Sequence, residues 1–136
     1  MIYQGSKRYP VTELVFHCAA TRKTWFAGMR TSQKVAEIRR WHVSERKWKD
    51  IGYHNVIDYD GTIAQGRKYE VIGAGVLGHN SGVIHACLIG GKDSKSTDMF
   101  NRHYTRAQNS SMLSLIRALN RLTTIKIIKG HNDYDK

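Results

Sequence analysis

Short apolar segments rich in β-branched residues, each bounded by glycine or polar sequence, constrain the fold of this chain most strongly. The most apolar is residues 83–89, which follow a glycine-rich stretch at 73–82 and precede Gly90 and Gly91. A run of this length between glycines is typical of a buried strand, and we expect it to be central in a sheet. Further strands are predicted at 13–17, 53–58, 62–66 and in the run that leads to His131, with a hairpin turn at Asp60-Gly61.

Two segments have the periodicity of amphipathic helices. In Thr31–Lys47, Val35, Ile38 and His42 recur at helical spacing. The second helix is predicted to begin at Thr105 with a Thr-x-x-Gln capping box and to end near Leu122. Its apolar face would contain Met112, Leu115, Ile116, Leu119 and Leu122. Strands interspersed with helices predict an α/β fold, in which residues 1–136 form a single domain with a central mixed β-sheet flanked by two or three helices.

Composition narrows the classes of partner. The chain has 136 residues and a formal net charge of +11, which attracts polyanions such as nucleic acid, anionic lipid or cell-wall polymer. Charge alone does not indicate a specific nucleic-acid partner, and we expect none. No run has the roughly 20 apolar residues of a transmembrane helix, and the first ten residues contain no signal-type apolar segment. We expect a monomer in which Cys18 and Cys87 are buried free thiols.

Two histidines follow predicted strands, and this placement suggests a metal site. His17 ends one apolar run and His131 another, so neighbouring strands would bring two imidazoles together, as zinc requires of its first ligands. No His-Glu-x-x-His or Cys-x-x-Cys spacing supports this independently. A serine nucleophile is not indicated, because no Gly-x-Ser-x-Gly segment is present. Tyr53, at a strand start, is either a packing residue or a phenol that donates a hydrogen bond to an oxyanion.

Seven segments together resemble the phage endolysins of the zinc N-acetylmuramoyl-L-alanine amidase family, which share their fold with peptidoglycan recognition proteins. They occur in family order along essentially the whole chain. The segments are Val15–Thr21, Val35–His42, Trp48–His54, Asp60–Ile63, Cys87–Gly91, Tyr104–Gln108 and Gly130–Asp133.

The resemblance implies a peptidoglycan recognition protein-like fold, a Zn²⁺ ion held by His17 and His131, and Tyr53 as the catalytic tyrosine. It implies that the substrate is peptidoglycan, cleaved at the amide between the lactyl group of N-acetylmuramic acid and L-alanine. Zinc would make a water molecule nucleophilic at neutral pH. The enzyme would wait in the cytoplasm of the host bacterium until a holin-type membrane lesion releases it to the cell wall.

Three departures from the family pattern bear on this expectation. The family's third zinc ligand is a cysteine beyond the second histidine, whereas this sequence stops at Lys136, so we expect a shortened domain with weak zinc binding and impaired activity. Gly75 replaces a loop histidine, and Val83–His85 replaces a Ser-Ile-Gly segment. His85 either alters packing under the groove, which we favour, or adds a polar group that faces it. The alternative function is a non-catalytic module of the same fold that binds peptidoglycan or a protein.

Overall fold

The computed structural model describes residues 1–22, 25, 28–92 and 103–130. These residues form an α/β domain built on a mixed sheet, as the sequence predicts. Within them the elements are β1 (Tyr3–Gln4), β2 (Tyr9–Pro10), β3 (Glu13–Cys18), α1 (Thr31–Arg40), a π-helical turn (Trp41–Glu45), β4 (Asn55–Ile57), β5 (Ile63–Gln65), β6 (Val83–Leu88), α2 (Arg106–Leu122) and β7 (Ile127–Gly130).

The central sheet has five strands in the order β5-β4-β6-β3-β7, and β1 pairs with β2 separately. Only the β4–β5 pair of this sheet is antiparallel; β4, β6, β3 and β7 run parallel to one another. β6 lies in the middle and every residue in it is buried, as expected for a parallel strand covered on both faces. The prediction that the 83–89 run is central is therefore confirmed.

The two helices cover opposite faces of this sheet. Leu115 and Leu119 of α2 pack in one apolar cluster with Ile57 and residues of β3 and β6. Val35 and Ile38 of α1 pack in a second cluster with Val56. Because Val56 and Ile57 are adjacent in β4, their side chains point to opposite faces, and each face has its own helix. No described helix has the length and apolar character needed to cross a membrane.

The predicted capping box begins α2 and also ties this helix to the sheet. Thr105 Oγ1 accepts a hydrogen bond from the Gln108 amide at 3.1 Å, and Gln108 Oε1 accepts one from the Thr105 amide at 2.9 Å. The buried Gln108 Nε2 donates to the carbonyl oxygens of Ile57 (3.2 Å) and Ile89 (2.8 Å). At the other end, Leu122 was expected on the apolar face but is 53% exposed, because it is the last residue of the helix.

Two elements differ in their bounds from the sequence prediction. The helix expected through Lys47 is α-helical only to Arg40; the π-helical turn follows it. The strand predicted at 53–58 is shorter, since Asp58 already belongs to the turn that contains Gly61 at φ +92°. Residues 93–102, part of the predicted polar loop before Tyr104, and His131 lie outside the described residues.

A buried ion pair anchors α1 to the sheet. Lys34 Nζ lies 2.9 Å from Asp58 Oδ1, with side chains 1% and 3% exposed. Asp58 also accepts hydrogen bonds from the Thr31 hydroxyl at 2.7 Å and from the Tyr59 amide at 2.8 Å. The carboxylate is thus compensated by one charge and two further donors, as burial of a charge requires.

We expect Lys34→Met to lower the free energy of unfolding by about 3–5 kcal/mol, because it leaves the Asp58 carboxylate buried without its counter-charge. Adding Asp58→Asn should recover part of this loss, since the amide keeps an acceptor for Thr31 but carries no charge. Arg39→Met is the control: its partner Asp50 is 43% exposed, so the loss should stay below about 1 kcal/mol. Urea unfolding measures all three; a double variant no more stable than Lys34→Met alone would contradict the argument.

Candidate active site

A groove of about 250 Å³ opens at the carboxyl end of β3. A second cavity of about 290 Å³ adjoins it, and the two share Cys18, His42, Arg46 and Tyr53 in their walls. Sites in open α/β sheets commonly lie at this edge, where the strands end and their loops begin. The first cavity is lined by His17, Cys18, His42, Arg46, Trp48, Tyr53, Ala74 and Gly75.

His17 lies at the inner wall of the groove and is 5% exposed. Its ring centroid is 5.3 Å from that of Tyr53 and 5.0 Å from that of His85. His17 Nε2 lies 2.8 Å from Nδ1 of His85, which is a hydrogen-bond distance between the two imidazoles. His85 is fully buried and packs under the groove, which is the alternative that we favoured from the sequence. It also makes a polar contact with His17, which lines the groove.

Tyr53 is positioned by the turn that precedes β4. The Gly52 amide donates to His42 Nδ1 at 2.9 Å, and the His42 ring lies 5.2 Å from the Tyr53 ring. A side chain at residue 52 would overlap the carbonyl oxygen of Ala74, so glycine is required for this close approach.

Burial, together with contacts to the Cys87 and Cys18 thiols, raises the pKa of the Tyr53 phenol well above its ordinary value. The phenol is therefore protonated at neutral pH. In this state the phenol can donate a hydrogen bond.

The π-helical turn carries further groove residues that the sequence analysis did not identify as site residues. His42 and Arg46 lie at this turn, and Trp48 packs edge-on against the His42 ring with centroids 4.6 Å apart. The Arg46 guanidinium carbon is 5.5 Å from the Trp48 ring centroid. His42 is 7% exposed, as its helical spacing with Val35 and Ile38 predicts, and it also lines the groove, which that spacing does not show.

The described residues contain part of the site predicted from the sequence. His17 and Tyr53 lie together in the groove, whereas His131 falls outside the described ranges. β7 lies beside β3 in the sheet, as predicted, and the two strands pair in parallel; the last described residue of β7, Gly130, is the partner of Phe16. Across the residues that the structure describes, no group of three or more His, Cys, Asp or Glu side chains could hold a metal ion.

Cys18 corrects one expectation. Cys87 is buried as predicted, but Cys18 is exposed; both are free thiols. Cys18 is the last residue of β3, where the strand leaves the core, and its side chain lines both cavities.

Sequence comparison identifies the family. The profile described as N-acetylmuramoyl-L-alanine amidase matches residues 7–136. The chain belongs to this amidase family. It is 37% identical over 130 residues to the endolysin of Klebsiella phage KP32, covering 96% of this chain and 80% of that protein. The endolysin of Escherichia phage T7 is 35% identical over 128 residues, with 93% and 79% coverage.

Solved structures agree with this membership. The amidase LysC from Clostridium intestinale has a TM-score of 0.71 at 28% identity, covering 93% of this chain and 73% of that one. A Drosophila peptidoglycan recognition protein, PGRP-SD, has a TM-score of 0.77 at 18% identity, with 98% and 75% coverage, and so shares the fold. The implied fold is confirmed, and the chain is an N-acetylmuramoyl-L-alanine amidase.

Two buried histidines predict a specific loss of stability in mild acid. Burial lowers the pKa of His54 and of His42 from 6.5 to about 4, and both rings accept a backbone hydrogen bond at Nδ1. Below about pH 6.5 these two histidines are therefore protonated in the unfolded chain, whereas in the folded chain they stay neutral down to about pH 4. The free energy of unfolding should change little between about pH 7 and 8 and should fall between pH 6.5 and 4, with His54 contributing about 3 kcal/mol of that fall.

Thermal unfolding of wild type and His54→Asn across this range measures the effect. The variant should be less stable at pH 7.5 but should show a smaller decline to pH 4.5. Asp50 and Asp60 do not confuse the result, because their carboxyl pKa values are lowered and they titrate below this window. Equal declines in wild type and variant would contradict the assignment.

Proposed function

We propose that this amidase is a zinc-dependent endolysin that hydrolyses the bond between the lactyl group of N-acetylmuramic acid and L-alanine in peptidoglycan. The observation that carries the proposal is the placement of His17 and Tyr53 across one groove, with ring centroids 5.3 Å apart. An imidazole ligand and a protonated phenol are the two side-chain types that a metal-assisted amide hydrolysis needs beside the scissile carbonyl.

The donor chemistry fits zinc. Imidazole nitrogen is a preferred zinc ligand, and His17 presents one at the rigid end of a central strand. We propose His131 as the second ligand, because it follows Gly130 in the sequence and Gly130 is the strand partner of Phe16, the residue before His17. Zinc bound here would supply Lewis-acid polarisation of the carbonyl and would lower the pKa of water to near 7.

Tyr53 would stabilise the negative charge that develops on the carbonyl oxygen. Burial keeps its phenol protonated, so that it can donate a hydrogen bond to this oxygen. The Gly52–His42 hydrogen bond and the two flanking imidazole rings orient the phenol before substrate arrives. A donor held in place has little reorganisation to make during the reaction, which is why we assign it a catalytic part.

The net charge of +11 would favour capture of an anionic cell-wall polymer. Within the groove, Arg46 supplies a cation and Trp48 an aromatic surface. The peptidoglycan recognition protein LE structure, which was solved with a monomeric diaminopimelic acid-type peptidoglycan and is 22% identical with a TM-score of 0.74, supports a peptidoglycan ligand for this fold.

The reaction is tested by the products released from purified peptidoglycan. We expect free amines with new N-terminal alanine, and we expect a chelator to abolish their release. Tyr53→Phe should lower kcat by about 10²–10³-fold with zinc still bound, because it removes only the hydroxyl donor. His17→Ala and His131→Ala should lose both zinc and activity.

Tyr9→Phe is the matched control, since Tyr9 is exposed in β2 and does not line the groove. Release of sugar reducing ends in place of amines would contradict the proposed bond. Binding of muropeptides with neither zinc by elemental analysis nor turnover would favour the non-catalytic module.

We also propose that the enzyme lyses its host from the cytoplasm once the membrane is breached; the phage endolysins among its relatives support this. Expression alone in a bacterial host should leave the culture turbid, and co-expression with a pore-forming holin should clear it. Tyr53→Phe with the same holin should clear it much more slowly. Clearing of the culture without the holin would contradict the need for a lesion.

A further inference from the structure

His17 and His85 form a buried imidazole pair on one face of the sheet. β3 and β6 are paired so that Val15 lies opposite His85 and His17 opposite Cys87. Since alternate residues of a strand share a face, His17 and His85 point the same way from neighbouring strands. Their facing nitrogens, Nε2 of His17 and Nδ1 of His85, are 2.8 Å apart.

Gly75 provides the space for this pair. A Cβ atom at residue 75 would overlap Nδ1 of His85 and would lie 2.7 Å from Nε2 of His17. The loop is held at this distance because Asn80 Oδ1 accepts hydrogen bonds from the amides of Gly75 and Val76, both at 3.0 Å. The two imidazoles can therefore be in contact only because residue 75 has no side chain.

His54 fixes His85 from the other side. The His85 amide donates to His54 Nδ1 at 3.0 Å, so the proton of the neutral His54 ring is on Nε2, which donates to the Val71 carbonyl at 2.8 Å. The His54 and His85 rings are nearly parallel, with an interplanar angle of 9°. His85 thus has little freedom to turn its Nδ1 away from His17.

The distance between the two nitrogens distinguishes a supporting residue from a metal ligand. Two nitrogens that bind the same tetrahedral zinc at 2.0–2.1 Å lie about 3.3 Å apart. The observed 2.8 Å is shorter than this and is typical of a hydrogen bond. His85 is also fully buried and does not line the groove, whereas His17 does.

We propose that His85 is a positioning residue that accepts a hydrogen bond from Nε2–H of His17 and so selects the tautomer in which Nδ1 of His17 binds the metal. The neutral imidazole carries one proton, and a proton held on Nε2 leaves Nδ1 as the nitrogen with a lone pair. A metal-binding histidine is normally oriented through its other ring nitrogen in this way. The inference deepens the proposed function, because the metal that it concerns is the proposed zinc.

Two nearly isosteric substitutions separate the hydrogen bond from packing. His85→Asn keeps an acceptor oxygen close to the position of Nδ1, whereas His85→Leu keeps the bulk and removes the acceptor. We expect His85→Leu to weaken zinc binding by about 10–100-fold, measured by competition with a chromophoric chelator, and His85→Asn to retain most of the affinity. Long-range ¹H–¹⁵N NMR of the metal-free protein should show His17 protonated at Nε2 in wild type and His85→Asn, and as a tautomer mixture in His85→Leu.

Gly75→Ala tests the same pair with both imidazoles present. The new methyl group should force the rings apart and reproduce the losses of His85→Leu, which keeps the inference testable if His85→Leu does not fold. The inference is overturned if His85→Leu or Gly75→Ala retains wild-type zinc affinity and the Nε2–H tautomer, or if His85→Asn is as defective as His85→Leu. A wild-type protein that binds no zinc would overturn the proposed metal dependence, and the tautomer measurement alone would then decide the hydrogen bond.

Discussion

The parallel ladder between β3 and β6 is the constraint on which the groove depends. It pairs six residues, from Glu13 with Val83 to Cys18 with Leu88, in the centre of the sheet. This register directs His17, His85 and Cys87 to the face that α1 and the 73–82 loop cover. A slip of one residue between the two strands would turn either His17 or both His85 and Cys87 toward α2, and would separate the two imidazoles. The register of the β3–β6 ladder therefore determines which side chains face the site as well as which side chains form the core.

Polar groups hold the loops around this ladder where apolar packing is thin. Arg67 donates to the carbonyl oxygens of Asp50 (3.2 Å), Ile51 (2.9 Å) and Ile72 (2.6 Å), and so joins the segment before Tyr53 to the segment before Gly75. Buried carbonyl groups in irregular segments need such donors, because no strand partner satisfies them. One guanidinium satisfies three of them and keeps both walls of the groove at a fixed separation. Pre-organisation of this kind is what the donor role proposed for Tyr53 would require.

The sequence predicts those parts of the site that depend on local pattern. His17 at the end of an apolar run, the 83–89 strand and the Thr105 capping box are all readable within a few residues, and all three are found as predicted. The π-helical turn and the exposure of Cys18 are not readable in this way. The π-helical turn packs against the turn before β4 through a contact between residues ten apart, the hydrogen bond of Gly52 with His42. The exposure of Cys18 depends on where β3 leaves the core. The contact between His17 and His85 spans 68 residues and depends on strand register, which periodicity alone does not supply.

Gly75 and His85 show why two unusual residues in one sequence are better interpreted together. Taken singly, His85 is a buried polar residue in a central strand, and Gly75 is one glycine in a loop that contains several. In the folded chain the first needs the second, because a side chain at residue 75 would occupy the volume in which the two imidazoles meet. The identities at the two positions are therefore coupled by sterics. A histidine at 85 is compatible with the groove only while residue 75 lacks a side chain, and the coupling should appear as non-additive stabilities when both positions are changed.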